Sequence, residues 1–265
     1  MSVRPFAPGG GGKGRLRSVV WRCAPLVIGL QAALITGVGG GAAASTLISS
    51  PPGVSAATLS REVEFSLVDT TTFAEPAGTQ ILGTGIIVSA TGLVLTAYHV
   101  VRDAVFVGVT VGGQGGVYPA SVVVTNPDDD LALLRIEADP PLTPARLGGS
   151  ASAQVGDPVV AMGNARGLGL APTAATGRLV ALDRSIRYGV GSNVVSLADV
   201  MEATAPIFAG DSGGPLVDAA GRVIGVIAAG SGDSPCPPRQ DCPLHVTFAI
   251  PIDQALSEVG YTVGS

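Results

Sequence analysis

The sequence predicts an all-β fold, a sandwich or barrels, on three observations. Its apolar residues fall into short runs rich in Val, Ile and Thr, several of them alternating with period two. Glycine, proline and aspartate break those runs at short intervals, which favours antiparallel sheets over βαβ units. Only one stretch, near the C-terminus, carries the spacing of a helix.

The chain of 265 residues opens with a different kind of segment. Arg4, Lys13, Arg15, Arg17 and Arg22 precede a stretch, residues 23–60, with no charged side chain. Its dense apolar part, "LVIGLQAALITGV" at 26–38, runs into "GGGAAAS". A basic start, an apolar run and small residues form the pattern of an export signal, with a cleavage site at Ala42, Ala43 and Ala44 before Ser45. An uncleaved membrane anchor through residues 25–48 is the rival, because the uncharged stretch is long enough to span a bilayer and the cations precede it. On either reading the chain is exported, secreted or anchored with the rest of it outside the cytoplasm. Residues 1–44 are thus leader or anchor, and 45–60, "STLISSPPGVSAATLS", read as a linker. Beyond residue 24 the chain has 10 basic and 20 acidic residues, so no basic patch favours a nucleic-acid partner.

The folded unit is expected over 61–265. "TGIIVS" and "GLVLTA" flank an Ala-Thr-Gly turn, and "AVFVGVTV" alternates Val105, Val107, Val109 and Val111 on one face. Further strands are expected at "SVVVT", "LALLRI", "DPVVAMG", "GRLVALD", "NVVSL", "VMEAT", "GPLVD", "RVIGVIAA" and "VTFAI". "TPARLGGSASAQVGD", residues 143–157, reads as a crossover between two β-units. The closing helix has Asp253 as its cap, Leu256 and Val259 on one face, and Gly260 as its stop.

The chemistry is concentrated at "AGDSGGPL", residues 209–216. A serine hydroxyl is a weak nucleophile and needs a neighbouring base, a group to orient that base, and donors for the developing oxyanion. The glycines around Ser212 allow backbone N–H groups to turn inward, so Gly210 and Ser212 are the natural donors. The chain has two histidines. His99 ends the apolar strand "GLVLTAYHV" and is the candidate base; His245, in "CPLHVTFAI", reads as a satisfied structural histidine. For the acid, "NPDDDLALLRI" offers Asp128, Asp129 and Asp130. Asp130 abuts an apolar strand and is favoured over the two solvated residues before it and over Asp103, which is too near His99 along the chain. Cys236 and Cys242 bracket "PPRQD" and suit a small loop-closing disulfide in an exported chain. A zinc site using His245 lacks a fourth ligand, so neither metal nor other cofactor is expected. An α/β-hydrolase elbow fits "GDSGG" locally, but that fold needs a parallel sheet and the serine first in order.

Together "TAYHV", "DDDLALL" and "GDSGGPL", in the order His, Asp, Ser, resemble the chymotrypsin-type (trypsin-like) serine proteases, and the bacterial HtrA (DegP-like) branch in particular. "GTGIIVSATGLVLTAYHVV" and "FAIP" at 248–251 strengthen that likeness, which covers roughly residues 61–257. The resemblance implies two six-stranded antiparallel β-barrels, one over about 61–145 and one over about 146–257, with the site between them. It implies a serine endopeptidase acting on polypeptides through His99, Asp130 and Ser212. A silent peptide-binding or chaperone-like module on the same fold is the alternative, though such relatives usually lose a triad member. HtrA proteins usually carry a PDZ domain after the protease domain and Asn before the serine; this sequence ends without the first and has Asp211 in place of the second. The resemblance further implies a primary pocket from Pro206, Ile207, Ala228, Ala229 and Gly230, uncharged and suited to small or medium apolar side chains. It also places "MGNARGLGL" beside the oxyanion turn, where an Arg166–Asp211 ion pair competes with backbone or water as the partner of Asp211.

Overall fold

The computed structural model describes residues 56–74, 79–163, 172–190, 193–231 and 245–262. Twelve strands in these segments form two closed six-stranded antiparallel barrels, followed by a short helix. Barrel one is built from β1 (Leu67–Ala74), β2 (Thr79–Ile87), β3 (Leu93–Ala97), β4 (Ala104–Val111), β5 (Tyr118–Asn126) and β6 (Leu131–Ile136). Around the barrel they run β1-β2-β3-β6-β5-β4. Barrel two uses β7 (Pro158–Gly163), β8 (Thr173–Val190), β9 (Asn193–Ala203), β10 (Pro215–Asp218), β11 (Val223–Ser231) and β12 (Val246–Pro251), in the order β10-β11-β12-β9-β8-β7. Closure leaves neither sheet an open edge.

Strand alternation sorts the core into three clusters. Val68, Val94, Val109 and Leu134 fill barrel one; Val159, Leu179, Met201 and Ile227 fill barrel two. The opposite faces supply the third: Leu67, Ile86, Leu95 and Leu131 of barrel one pack with Met162, Val226 and Ile250 of barrel two. Each such fully buried side chain contributes roughly 1.5–3 kcal/mol of transfer free energy. That joint fixes the two barrels against each other and so fixes any site built across them.

Several expectations are revised. Helix α1 (Ala56–Val63) begins inside the stretch read as a linker, because Leu59 and Val63 dock in the inter-barrel cluster. β1 carries Asp and three Thr among its eight residues and lacked an apolar signal. The stretches "NVVSL" and "VMEAT" are one strand, β9, which pairs along the long β8 with repeated register shifts. Of the four valines read as one face of β4, Val107 and Val109 are buried and Val105 is 63% exposed. The closing helix, α3 (Ile252–Glu258), has Pro251 at its cap. Asp253 instead accepts from Ser150 N (2.8 Å), Ser150 Oγ (2.8 Å) and Ala151 N (3.2 Å), pinning the crossover between barrels. Gly260, at φ 65, ends the helix as expected. Among the described residues no helix is long and apolar enough to cross a membrane. The leader, Cys236 and Cys242 lie outside the described residues.

Candidate active site

His99 lies on α2 (Tyr98–Val101), a single turn that follows β3. Asp130 precedes β6 in a left-handed conformation, φ 51, which aspartate tolerates better than most residues. Its fully buried side chain and backbone wrap the start of α2, whose first N–H groups have no helical acceptor. The Asp130 carbonyl accepts from Tyr98 N at 2.9 Å, and Oδ1 accepts from His99 N at 2.8 Å. Oδ2 accepts from His99 Nδ1 at 2.7 Å and from the Tyr188 hydroxyl at 2.5 Å. An ionised carboxylate only accepts, so the proton sits on Nδ1 of the imidazole and Nε2 keeps a lone pair. These donors make a buried carboxylate tolerable. The other acids are placed elsewhere: Asp128 is exposed, Asp129 bonds Asn126 Nδ2 at 2.8 Å, and Asp103 is exposed beside Arg102.

Ser212 sits on the turn leading into β10, and barrel one holds that turn. Thr84 N donates to Ser212 O at 2.9 Å, and Thr84 Oγ1 donates to Gly210 O at 2.7 Å. Thr84 is fixed in turn by Thr96 Oγ1, which donates to its carbonyl at 2.6 Å. The turn's carbonyls are thus drawn toward barrel one. Among the described residues, the N–H groups of Gly210 and Ser212 have no protein acceptor, which leaves both for an oxyanion. Gly210 achieves this at φ 102. Asp211, 4% exposed, accepts the Phe208 N–H through Oδ2 at 2.8 Å. Arg166 lies outside the described residues.

An acid that the motifs did not single out lies beside this tether. Asp69 faces Thr84 across the β1–β2 ladder and is 6% exposed. Its buried Oδ1 has no hydrogen-bond partner among the described residues, and burial pushes the carboxyl up to about 7. The folded protein therefore holds a proton that the unfolded chain releases near its ordinary value of 3.8. Stability is fully present below that value and falls as pH rises toward 7, where the loss levels off. Asp69→Asn should raise stability by roughly 1–3 kcal/mol at pH 8 and change little at pH 4. Urea melts of both proteins at the two pH values check this; equal gains at both would refute it.

His99 and Ser212 line one open cleft of about 420 Å³. Ala228, Ala229 and Gly230 of β11 line it, and Tyr188, Gly189 and Val195 of the β8–β9 hairpin join them. Arg102 also reaches it. Two pocket expectations are corrected. Ile207 is 3% exposed inside the barrel-two cluster, and Pro206 is half-buried; neither lines this cleft. Residue 207 continues into the barrel interior, so its side chain is taken up by packing. His245 is also not a core residue: it is exposed at the bend before β12. Tyr188 and Arg102 were missed. Arg102 lies three residues after His99, but nothing in "RSIRYGV" distinguishes Tyr188 from an ordinary strand tyrosine.

Residues 83–226 match the model of the trypsin-like peptidase domain. The chain belongs to the trypsin-like peptidase family. Within it, relatives of the HtrA/DegP type are prominent. The serine protease PepD of Mycobacterium tuberculosis is 35% identical over 65% of this chain and 39% of its own length. The probable periplasmic serine endoprotease DegP-like of Chlamydia trachomatis is 37% identical over 69% of this chain and 35% of its own. Among solved structures, the HtrA-type protease AlgW with tripeptide superimposes with a TM-score of 0.63 at 30% identity, covering 77% of this chain and 62% of that one. This trypsin-like peptidase thus spans little more than a third of the length of those two curated relatives.

Proposed function

We propose that the protein is an exported serine endopeptidase. Ser212 attacks the scissile carbonyl, His99 takes its proton as general base and returns it to the leaving amine, and Asp130 holds the imidazole in the required tautomer. The N–H groups of Gly210 and Ser212 receive the oxyanion. The observation that carries this reading is the cleft itself. It joins Ser212 to a histidine whose Nδ1 is already bonded to a buried carboxylate at 2.7 Å, beside two N–H groups with no acceptor among the described residues. The basic leader and the periplasmic naming of the Chlamydia relative support export, whether by cleavage after Ala44 or by retention of residues 25–48 as an anchor.

Labelling with a fluorophosphonate probe tests the reading: wild-type protein should label, and Ser212→Ala should not. Equal labelling of the two would sink it. For specificity, Ala228, Ala229 and Gly230 give the cleft a small, uncharged wall. A peptide library should show cleavage after small or medium apolar residues such as Val, Ala or Leu, by about tenfold or more over Lys and Arg. Dominant cleavage after Arg or Lys would overturn that preference.

A further inference from the structure

We propose that Tyr188 is a positioning residue for the triad, tying the acid of barrel one to the cleft wall of barrel two. The proposal rests on the triad reading above and goes beyond it.

The geometry is unusual in its division of labour. Asp130 and His99 both belong to barrel one, and their mutual bonds are local to β3, α2 and the start of β6. The other side chain on Asp130 comes from the second barrel, 58 residues away on β8. Tyr188 donates to Oδ2, the same oxygen that receives His99 Nδ1. Its ring meets the imidazole edge-on, centroids 6.1 Å apart and planes 79° apart. One tyrosine therefore restrains both the oxygen that orients the base and the face of the base itself. Burial, then the negative charge of Asp130, then the hydrogen bond to it, raise the Tyr188 hydroxyl far above its ordinary value. It stays protonated and remains a donor throughout the working pH range.

Tyr188 also lines the cleft, next to Gly189 and opposite Val195's strand in the same hairpin. The wall that a bound peptide touches is thus the element that fixes the acid. Asp130 takes this restraint from outside its own barrel while its backbone holds a left-handed state at φ 51. Without the hydroxyl, Oδ2 keeps a single donor and the carboxylate is freer to turn. Other charged or titratable groups near the pair are Arg102, which lines the cleft, and Asp103, which pairs with Arg102 at 3.7 Å; Asp129 is engaged with Asn126. Tyr188→Phe leaves all of them in place.

The test compares wild type, Tyr188→Phe and Ser212→Ala on one peptide substrate. Tyr188→Phe should lower kcat about 10- to 30-fold with KM within about twofold, the size expected for one hydrogen bond to a charged group. The downfield proton resonance of His99 Nδ1–H should shift, because its acceptor Oδ2 no longer shares itself with a second donor. A tyrosine that served packing alone would not move the resonance. If wild type turns over and Tyr188→Phe matches it in kcat and resonance, the role of Tyr188 is overturned and the triad stands. If wild type neither turns over nor labels with the fluorophosphonate, the triad fails and takes this proposal with it.

Discussion

Ser212→Ala is expected to lower peptide turnover about 10⁴- to 10⁶-fold while the fold is retained. The two halves of that statement have separate grounds. The hydroxyl is the only group at position 212 assigned to covalent chemistry, and without it the remaining donors and cleft give only residual catalysis. The structural duties of residue 212 are carried by its backbone: the carbonyl accepts from Thr84 N at 2.9 Å, and alanine preserves that bond. The melting temperature should therefore stay within about 2 °C of wild type, the shift expected for less than 1 kcal/mol in a domain this size. Steady-state hydrolysis and a thermal melt on the same preparation check both halves. Turnover within tenfold of wild type would remove Ser212 as nucleophile.

The next residue is expected to show the opposite pattern. Gly213→Ala should destabilise the protein by about 3 kcal/mol or more, through steric conflict rather than lost chemistry. Gly213 has φ 84, and a Cβ there would lie 2.2 Å from both Thr84 O and Thr96 Oγ1. None of these atoms is free to move. Thr96 Oγ1 is bonded to Thr84 O, Thr84 N to Ser212 O, and Gly213 N to Ile227 O at 2.8 Å. Relief requires separating the turn from barrel one or breaking the β10–β11 connection. Gly116→Ala is the matched control, since a Cβ there meets nothing within 4 Å and the backbone is not left-handed. Denaturant melts of the two variants should differ by the full amount; equal stability would refute the steric argument.

What could be read from residue order and what could not divide along physical lines. Strands with apolar residues facing a core announced themselves: "LALLRI" and "AVFVGVTV" are β6 and β4 to the residue. So did His99 and Asp130, because each abuts such a strand, and the structure joins them at 2.7 Å. β1 stayed hidden because its inward residues include Thr70 and Thr72, both fully buried and neither apolar. Ile207 was misplaced because a residue five positions before the serine lies near the site along the chain, while its side chain turns into barrel two. Tyr188 was invisible for a deeper reason. Its partner is on the other barrel, and a contact across 58 residues leaves no local pattern. Asp69 is similar: a lone acid in a Thr-rich segment carries no local sign that the folded chain buries it.

The tether from Thr84 to the serine turn has a consequence in time. His99, Asp130 and Thr84 all come from strands completed by residue 136, whereas Ser212 follows barrel two's longest strands. Barrel two cannot close until residues 246–251 arrive to pair with both β9 and β11. A chain made from its N-terminus therefore completes the strands around His99 and Asp130 early and assembles the surroundings of Ser212 only once β12 has been made. Contacts so distant in sequence form late in folding as well. During synthesis the three side chains therefore stay apart until both barrels have closed.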